Sequence, residues 1–521
     1  MGLDVPTTAY TLPDRLNPPA LLDLLRRRFD IEAEAPVRRS FTVIDTADRR
    51  VRDAGGDLVL EPDRPAPALV LRPQPGAATV RAEVARSRRW LVDDLPEGAL
   101  RDHLGPVVEM RALLPLAKVQ ADVQSLHVRN ADEKTVVRLR LATHAALDTG
   151  GRPVPLAARV EVTGVLGYPK PLERVVDLLT GKAGLRDAPA SMADEAIAAA
   201  GGDPAGIRSK PRIELRPGQR TDRAAVAVLD DLAGIVEANM PGTLADLDTE
   251  FLHQLRVAVR RSRSVLRELR KAFPPGPLKV QRDALKWVQA VTGPARDLDV
   301  QLLDWDALAA DLPPERLEAL VPVRELLVKR RAGALRVLKR ELRGANYRQA
   351  WTGYRAFLAG DLGPARDRPD GKRPLDEVAG RRIRKVYATM VDLGSAIDAD
   401  SPADDLHELR KRGKELRYLL ELFGGLWPRD TVKPMVTSLK GLQDVLGHHQ
   451  DAEVQAAQLR ELAVELAGQA GGPDALLALG VLVDRLGEAQ HQARDGFAER
   501  FAAFAAPERR KLVRGTFRGR G

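Results

Sequence analysis

His253-Gln-Leu-Arg256-Val-Ala-Val-Arg260-Arg261-Ser-Arg263 returns 154 residues later as His407-Glu-Leu-Arg410-Lys411-Arg-Gly-Lys414-Glu-Leu-Arg417. A second pair keeps the same offset: Gly293-Pro-Ala-Arg-Asp297-Leu-Asp299-Val300 and Gly447-His-His-Gln-Asp451-Ala-Glu453-Val454. Between these landmarks Leu266 meets Leu420, Leu285 meets Leu439, Lys286 meets Lys440, and Gln289 meets Gln443. Two ungapped landmarks at one offset point to an internal duplication. Apolar residues around them recur every three or four positions, with breaks at Pro or Gly, which predicts helices. The expected helices are 222–240, 248–272, 277–291, 314–343, 376–397, 403–423 and 431–446. The C-terminal half is therefore expected to be all-α, with two helical bundles related by an approximate two-fold.

A helix turns about 100° per residue, so Arg256, Arg260, Arg263 and Arg267 fall with His253 inside an arc of roughly 80°. Leu255, Val259, Val265 and Leu266 lie opposite. In the second copy His407, Arg410, Lys414 and Arg417 repeat the stripe, and Lys411 flanks it. Glu421 stands where Arg267 extends the first stripe. Like charges four residues apart repel by a few tenths of a kcal/mol per pair. A solvated basic face is the ordinary explanation of such a helix. A stripe of one sign that occurs twice points instead to a polyanion site, because guanidinium forks bind phosphate oxygens bidentately and ammonium groups act as point charges. If the two stripes face each other, their potentials add in one cleft. The two histidines either join that site or cap a neighbouring carbonyl.

The second landmark is acidic. Asp297, Asp299, Asp451 and Glu453 are expected to open a new helix after a glycine, favoured there by the helix dipole, and to orient the basic stripes through salt bridges. His448, His449 and Asp451 have the chemistry of a metal site. Pro294 and Ala295 occupy the paired positions in the first copy, so no metal or other cofactor is expected. Other bases, such as Lys329-Arg330-Arg331 and Arg381-Arg382-Ile-Arg384-Lys385, are read mostly as solvated faces.

The N-terminal half reads differently. Short β-branched or apolar runs at 41–45, 57–61, 68–72, 135–142 and 158–162 are bounded by Gly, Pro, Asp or Asn. Glycine pairs at 54–57 and 149–152 look like hairpin turns. An antiparallel sheet or barrel is expected, preceded by a helix near 19–29 and followed by one near 171–180. The whole chain is thus an α+β multidomain protein: an antiparallel barrel-like domain at 1–181, a linker at 182–220 with its boundary near Pro217, the helical domain at 221–505, and a frayed basic tail at 506–521.

The sequence has 521 residues, 44% hydrophobic and 30% charged, with 82 Lys+Arg against 73 Asp+Glu and no cysteine. That composition fits globular domains and excludes a collagen-like or wholly disordered chain. The absence of cysteine excludes disulfides, thiolate-bound zinc, thiol catalysis and iron–sulfur clusters. No apolar run approaches the 18 or so residues needed to cross a bilayer. No signal peptide is expected at Met1, and no myristoylation, since Pro6 breaks the pattern after Gly2. A cytoplasmic protein without a membrane partner is the expectation.

The pattern His253-x-Leu-Arg256-Val-x-x-Arg260-Arg261-x-Arg263, followed by Ala295-Arg-Asp-Leu-Asp-Val300, resembles the signature of the conserved histidine α-helical domain, CHAD. His407-x-Leu-Arg410-x-x-x-Lys414-x-x-Arg417 fits it again. The resemblance covers about 221–505. It implies two pseudo-symmetric helical bundles around a basic groove, binding of inorganic polyphosphate, association with polyphosphate granules, and no catalysis by the module. The polyphosphate-binding residues it marks are His253, Arg256, Arg260, Arg263, Arg267, His407, Arg410, Lys411, Lys414 and Arg417.

The N-terminal half is similar, more weakly, to the CYTH or triphosphate-tunnel family through Phe41-Thr-Val-Ile-Asp45-Thr46-Ala-Asp48-x-Arg50-Val-Arg52-x-Ala-Gly55. Active members of that family are eight-stranded barrels that cleave triphosphates with a metal held by an N-terminal Glu-x-Glu-x-Lys motif. Here the start offers only Thr8-Ala-Tyr-Thr-Leu-Pro13. Ile31-Glu32-Ala-Glu34-Ala35 has two acids but no lysine, and follows a helix. Arg138 and Arg140 alternate on a strand, facing either a tunnel or solvent. The implied domain is a degenerate, inactive tunnel.

Three functions compete. Polyphosphate binding in the helical groove leads. A metal-dependent triphosphatase or polyphosphatase in the barrel is the second, and a nucleic-acid binder the third. The stripe has no interleaved aromatics for base stacking, which disfavours nucleic acid.

Overall fold

The computed structural model describes residues 7–62, 66–72, 79–188, 190–310, 312–398, 400–468 and 472–518. They divide into two compact units, Met1–Arg208 and Ser209–Gly521.

The first unit is built on one antiparallel sheet of eleven strands: β1 (Thr7–Thr11), β2 (Asp30–Ala33), β3 (Val37–Thr46), β4 (Asp57–Glu61), β5 (Ala68–Arg72), β6 (Val80–Glu83), β7 (Leu113–Arg129), β8 (Thr135–Leu147), β9 (Pro153–Pro155), β10 (Arg159–Gly164) and β11 (Arg186–Asp187). The order is β11-β1-β10-β8-β7-β3-β4-β5-β6, with β2 on β7 and β9 on β8. Among the described residues no rung joins β11 to β6. Among the described residues five α-helices accompany the sheet: α1 (Pro18–Arg26), α2 (Arg50–Asp53), α3 (Ala99–Val108), α4 (Pro169–Asp177) and α5 (Met192–Ala199).

The long hairpin β7–β8 carries the unit. Alternation in β7 buries Ala117, Val119, Ala121 and Val123 and exposes Lys118, Gln120 and Asp122. Beyond Ser125 the buried parity changes to Leu126 and Val128. The sheet is thus covered on one face at one end and on the other face at the other. Leu126 and Val128 pack with α1 and α4, whereas Ala117 and Val119 pack with Ala193, Ala196 and Ile197 of α5. The expected linker therefore contributes to a core, and the boundary falls at Arg208/Ser209 rather than near Pro217. Asp194 pairs with Arg49 at 3.1 Å and with Arg52 at 3.3 Å, and Glu195 with Arg159 at 2.8 Å, which fixes α5 further. The glycine pair at 149–152 makes the β8–β9 hairpin, with Gly151 at φ 78°. The pair at 54–57 instead links α2 to β4.

The second unit is helical: α6 (Thr221–Ala245), α7 (Thr249–Glu268), α8 (Pro275–Val291), α9 (Gly293–Ala309), α10 (Pro314–Ala319), α11 (Val321–Arg343), α12 (Ala345–Ala359), α13 (Leu375–Ser395), α14 (Ala403–Phe423), α15 (Arg429–Leu466), α16 (Gly472–Asp495), α17 (Phe497–Phe504) and α18 (Pro507–Thr516). Helices α6, α7 and α8 start at 221, 249 and 275; α13, α14 and α15 start at 375, 403 and 429, each 154 later. The single 3-10 turns Arg270–Ala272 and Gly424–Leu426 keep that offset. Ahead of α6 and α13 the chain pairs with itself reciprocally. Thr221 N donates to Arg373 O at 3.0 Å, and Leu375 N donates to Gln219 O at 2.8 Å.

Two expectations fail here. Gly447 does not start a helix, because α15 runs unbroken for 38 residues. A mid-helix glycine costs about 1 kcal/mol against alanine. The packing of Ala452, Ala456, Leu459, Leu462 and Leu466 against α16 outweighs that cost. At Gly293, 154 residues earlier, the break does occur, and α9 starts there. Residues 507–516 are also no frayed tail. They form α18, and Val513 and Phe517 are buried, the Phe517 ring meeting Trp427 edge-on at 4.8 Å. The terminal Arg520 lies outside the described residues.

Candidate functional site

Helix α7 is capped by Asp248, whose carboxylate accepts from the Glu250 and Phe251 amides at 2.9 and 3.2 Å, an N-cap that also suits the dipole. Its apolar side, Leu255, Ala258, Val259, Val265 and Leu266, is buried in one core with Leu409, Leu416, Leu419 and Leu420 of α14. The cationic sides of the two helices consequently lie over the same core, and they border two adjoining cavities.

The first cavity, about 520 Å³, is lined by α7, α14 and α15 together with Ser209 and Lys210. It receives His253, Arg260, Arg410, Lys414 and Arg417 of the predicted stripes, with Arg261, Tyr418, Glu421, Gln443, Asp444, His448 and Asp451. The second, about 710 Å³, lies among α7, α8 and α14. It receives Arg260, Arg263, Arg267, Lys411 and Lys414, with Lys279, Arg282 and Lys286 of α8. Arg260, Lys414 and Tyr418 belong to both cavities, and the Arg260 guanidinium sits 5.9 Å from the centre of the Tyr418 ring. The two cavities thus meet at a cationic neck and form two lobes of one groove.

Eight of the ten predicted residues line this groove; Arg256 and His407 do not. The Arg256 guanidinium donates to Gln289 O at 2.8 Å and to Thr292 Oγ1 at 2.9 Å, closing the C-terminal end of α8. His407 Nδ1 is hydrogen-bonded to Gln450 Oε1, whose amide reaches Glu453 at 3.1 Å. Helical periodicity gives the correct side for both residues, but each finds a partner within reach before the groove. The lysines and arginine of α8 are the residues that sequence reasoning missed. Their signal was present as Lys279, Arg282 and Lys286, spaced i, i+3, i+7 on one helical face.

Charge in the groove is only partly neutralised. Arg410 pairs with Asp451 at 2.7 Å, and Arg417 with Glu421 at 2.6 Å. Arg261 reaches the same Glu421 at 3.2 Å. The second-landmark acid Asp451 thus orients a stripe residue, as expected, although from the middle of a helix. Asp299 pairs with Arg331 at 2.6 Å. Arg260, Arg263, Arg282, Lys286 and Lys414 form no ion pair among the described residues.

Burial and neighbouring cations leave their mark. Burial, then Arg410, Arg260 and Arg417, push the Lys414 ammonium down to about 8, against the opposing pull of Asp451. Burial, then Arg267 and Arg282, lower Arg263. Burial lowers His253, with Arg296, Arg260 and Arg256 adding to the effect against Glu250. A groove that disfavours its own positive charges gains when a polyanion enters.

No group of three or more His, Asp or Glu residues able to hold a metal occurs among the described residues. His449 is buried and faces Gln490, whereas His448 lines the groove, so the two adjacent histidines point to different surroundings. No helix among the described residues is long and apolar enough to cross a membrane.

Residues 227–460 match the family model of the CHAD domain. The helical unit carries a CHAD domain. Two curated relatives are uncharacterized proteins of Mycobacterium tuberculosis, strains CDC 1551 / Oshkosh and ATCC 25618 / H37Rv. Each is 29% identical over 223 residues, covering 41% of this chain and 41% of the relative, so the chain spans about two fifths of the length of the curated proteins it matches. Among solved structures, the CHAD domain from the plant Ricinus communis is 23% identical, with a TM-score of 0.48, covering 57% of this chain and 96% of that one. PptA from Streptomyces chartreusis is 18% identical, with a TM-score of 0.44, covering 54% and 99%. Both stripes and both lobes fall within the CHAD match, apart from Ser209 and Lys210.

Proposed function

We propose that the CHAD domain binds inorganic polyphosphate along its two-lobed groove, and that this binding brings the protein to polyphosphate granules in the cytoplasm. The observation that carries the reading is the set of five groove cations that form no ion pair among the described residues: Arg260, Arg263, Arg282, Lys286 and Lys414. A flexible, unbranched chain of phosphates offers each of them an oxygen without demanding a fixed shape. The two copies are proposed to be related by a local two-fold. The constant 154-residue offset of three helix starts and the reciprocal hydrogen bonds at Thr221 and Leu375 support that relation.

Binding of this kind releases counterions. For a single-stranded polyanion the slope of log K against log salt is about −0.7 per neutralised phosphate, so five contacts predict about −3.5. The test is titration of the full chain with long-chain polyphosphate between 50 and 200 mM salt, with single-stranded DNA of matched charge as competitor. Tight binding with that slope and poor displacement by DNA is expected. Absence of binding at the lowest salt, or easy displacement by DNA, would overturn the reading. Tyr418 is the aromatic side chain of the groove, and Arg260 already lies over its ring, which leaves little for base stacking.

For the N-terminal unit the proposal is a degenerate, tunnel-like sheet without phosphohydrolase chemistry. Strand β1 contains no acid, and Glu32 and Glu34 are engaged by Arg129 and His127. Arg138 is exposed and Arg140 pairs with Glu161 at 3.3 Å. Incubation with tripolyphosphate and Mg²⁺ or Mn²⁺ should release no phosphate above the blank.

A further inference from the structure

We propose that the two lobes are unequal, and that the lobe between α7, α8 and α14 is the principal seat of the polyanion, gripped by Arg263, Arg282 and Lys286. The inference rests on the polyphosphate reading above and assigns its strongest contacts.

Charge is the first ground. The α8 lobe is lined by eight Lys and Arg side chains against two carboxylates, Asp283 and Glu415. The α15 lobe has six against three, Glu421, Asp444 and Asp451. Availability is the second. In the α15 lobe the arginines that it does not share, Arg261, Arg410 and Arg417, are each held by a carboxylate. A phosphate entering there competes with an existing ion pair and must also meet the displaced acid. In the α8 lobe Arg267, Lys279 and Lys411 are held by Glu268, Asp283 and Glu408, but Arg263, Arg282 and Lys286 form no ion pair among the described residues. Arg282 and Lys286 are exposed, so they are free to turn toward an entering phosphate.

The third ground is the direction in which the two copies differ. Positions 154 apart should make equivalent contributions to the two lobes. Arg267 lines the α8 lobe, and its counterpart Glu421 lines the other. Lys411 lines the α8 lobe, and its counterpart Val257 lines the other. Arg282 lines the α8 lobe, and its counterpart Val436 packs against the core. These three differences place the cation in the same lobe; a fourth runs the other way, Arg261 of the α15 lobe standing against Glu415 of the α8 lobe, but Arg261 is already held by Glu421. Because the lobes meet at Arg260, Lys414 and Tyr418, a long chain passes through that neck into the weaker lobe. A short oligophosphate fills the α8 lobe alone.

Two full-length variants that remove equal charge test this: Arg282→Ala with Lys286→Ala, and Arg410→Ala with Arg417→Ala. Each is titrated with tripolyphosphate and with long-chain polyphosphate at two salt concentrations, after its thermal unfolding is shown to match the parent. The α8-lobe variant should weaken both ligands at least tenfold and flatten the salt slope by about 1.4, two contacts at about 0.7 each. The α15-lobe variant should change tripolyphosphate affinity less than threefold. Equal losses, or a larger loss in the α15-lobe variant, would overturn the inequality and leave polyphosphate binding standing. Unchanged binding in both folded variants would overturn the groove as the site. A parent protein that binds neither ligand would overturn the polyphosphate reading and this inference with it.

Discussion

Polyphosphate affinity should fall as pH rises from 7 to 9, through Lys414. This ammonium sits at the neck of the groove with Arg410 and Arg417 on its own helix, Arg260 across on α7 and Asp451 on α15. Burial and the three guanidiniums bring it down to about 8 in the empty groove. A bound polyanion favours the charged form, and the expected outcome is worked with the ordinary lysine value of about 10.4 for the bound state. The sign follows by linkage: a group whose pKa rises on binding takes up a proton above its free pKa, so affinity is full below about 8 and declines above it. With these two values the loss from pH 7 to pH 9 is about tenfold at low salt, equivalent to about 1.4 kcal/mol. Screening shrinks it as salt is added. Guanidinium groups keep their charge across this range, and any further ionisation of the terminal phosphates adds negative charge, which opposes the predicted decline. The assay is fluorescence anisotropy of labelled polyphosphate with the full chain at pH 7, 8 and 9 and 50 mM salt, beside Lys414→Arg. The parent should weaken about tenfold, and the arginine variant should stay within about twofold. A flat profile in the parent, or an equal decline in both, would refute this account of Lys414.

Three further outcomes follow from the packing. Arg256→Ala should lower stability by about 1–2 kcal/mol in urea titration while polyphosphate affinity changes less than twofold, since its guanidinium serves the Gln289 carbonyl and Thr292 rather than the groove. Arg382→Leu should be more damaging, by about 3–5 kcal/mol, because Arg382 bridges Glu268 and Glu415, whose side chains are 1% and 3% exposed. Its loss should be partly relieved at pH 5 relative to pH 7, where protonation removes the carboxylate repulsion that Arg382 now balances; equal destabilisation at both would contradict that cause. Gly242→Ala should cost about 1–3 kcal/mol despite the gain in helix propensity, since a Cβ there would overlap the Phe251 ring where α6 and α7 cross; a more stable variant would show that this contact yields freely.

How much of this the sequence discloses depends on what each property requires. The two basic helices were legible because a single-signed stripe needs only helical period and residue type, and α14 begins and ends where its apolar spacing predicts. The 154-residue offset, read from two short landmarks, recurs in helix starts that the landmarks do not contain. Continuity through Gly447 was not legible, because the glycine penalty is local whereas the compensating contacts come from α16, some thirty residues away. The docked α18 left a modest signal, Val513 and Phe517 four residues apart among the bases, but the partner that gives them value is Trp427. Helix α5 was read as a helix; its place in a sheet core was not, because alanines carry little amphipathic contrast.

The candidate site separates two kinds of information. Which side chains point toward a groove follows from periodicity, and most of the predicted ones do. Which of them keep their charge available does not follow, because that depends on partners from other helices. Arg417 and Arg263 stand 154 residues apart at the same place in the two stripes, yet Arg417 is bound by Glu421 while Arg263 faces Arg267 and Arg282. A reader of the sequence would rank them equally. The physical ranking is set by one acid on the same helix in the second copy and by a helix, α8, whose basic face is visible only as spacing until its orientation is known. A stripe of cations therefore locates a cationic groove. On the proposed polyphosphate reading, the cations without an ion-pair partner among the described residues decide where along the groove the polyanion is held, and that second question turns on α8 and Glu421 rather than on the histidine–arginine motif itself.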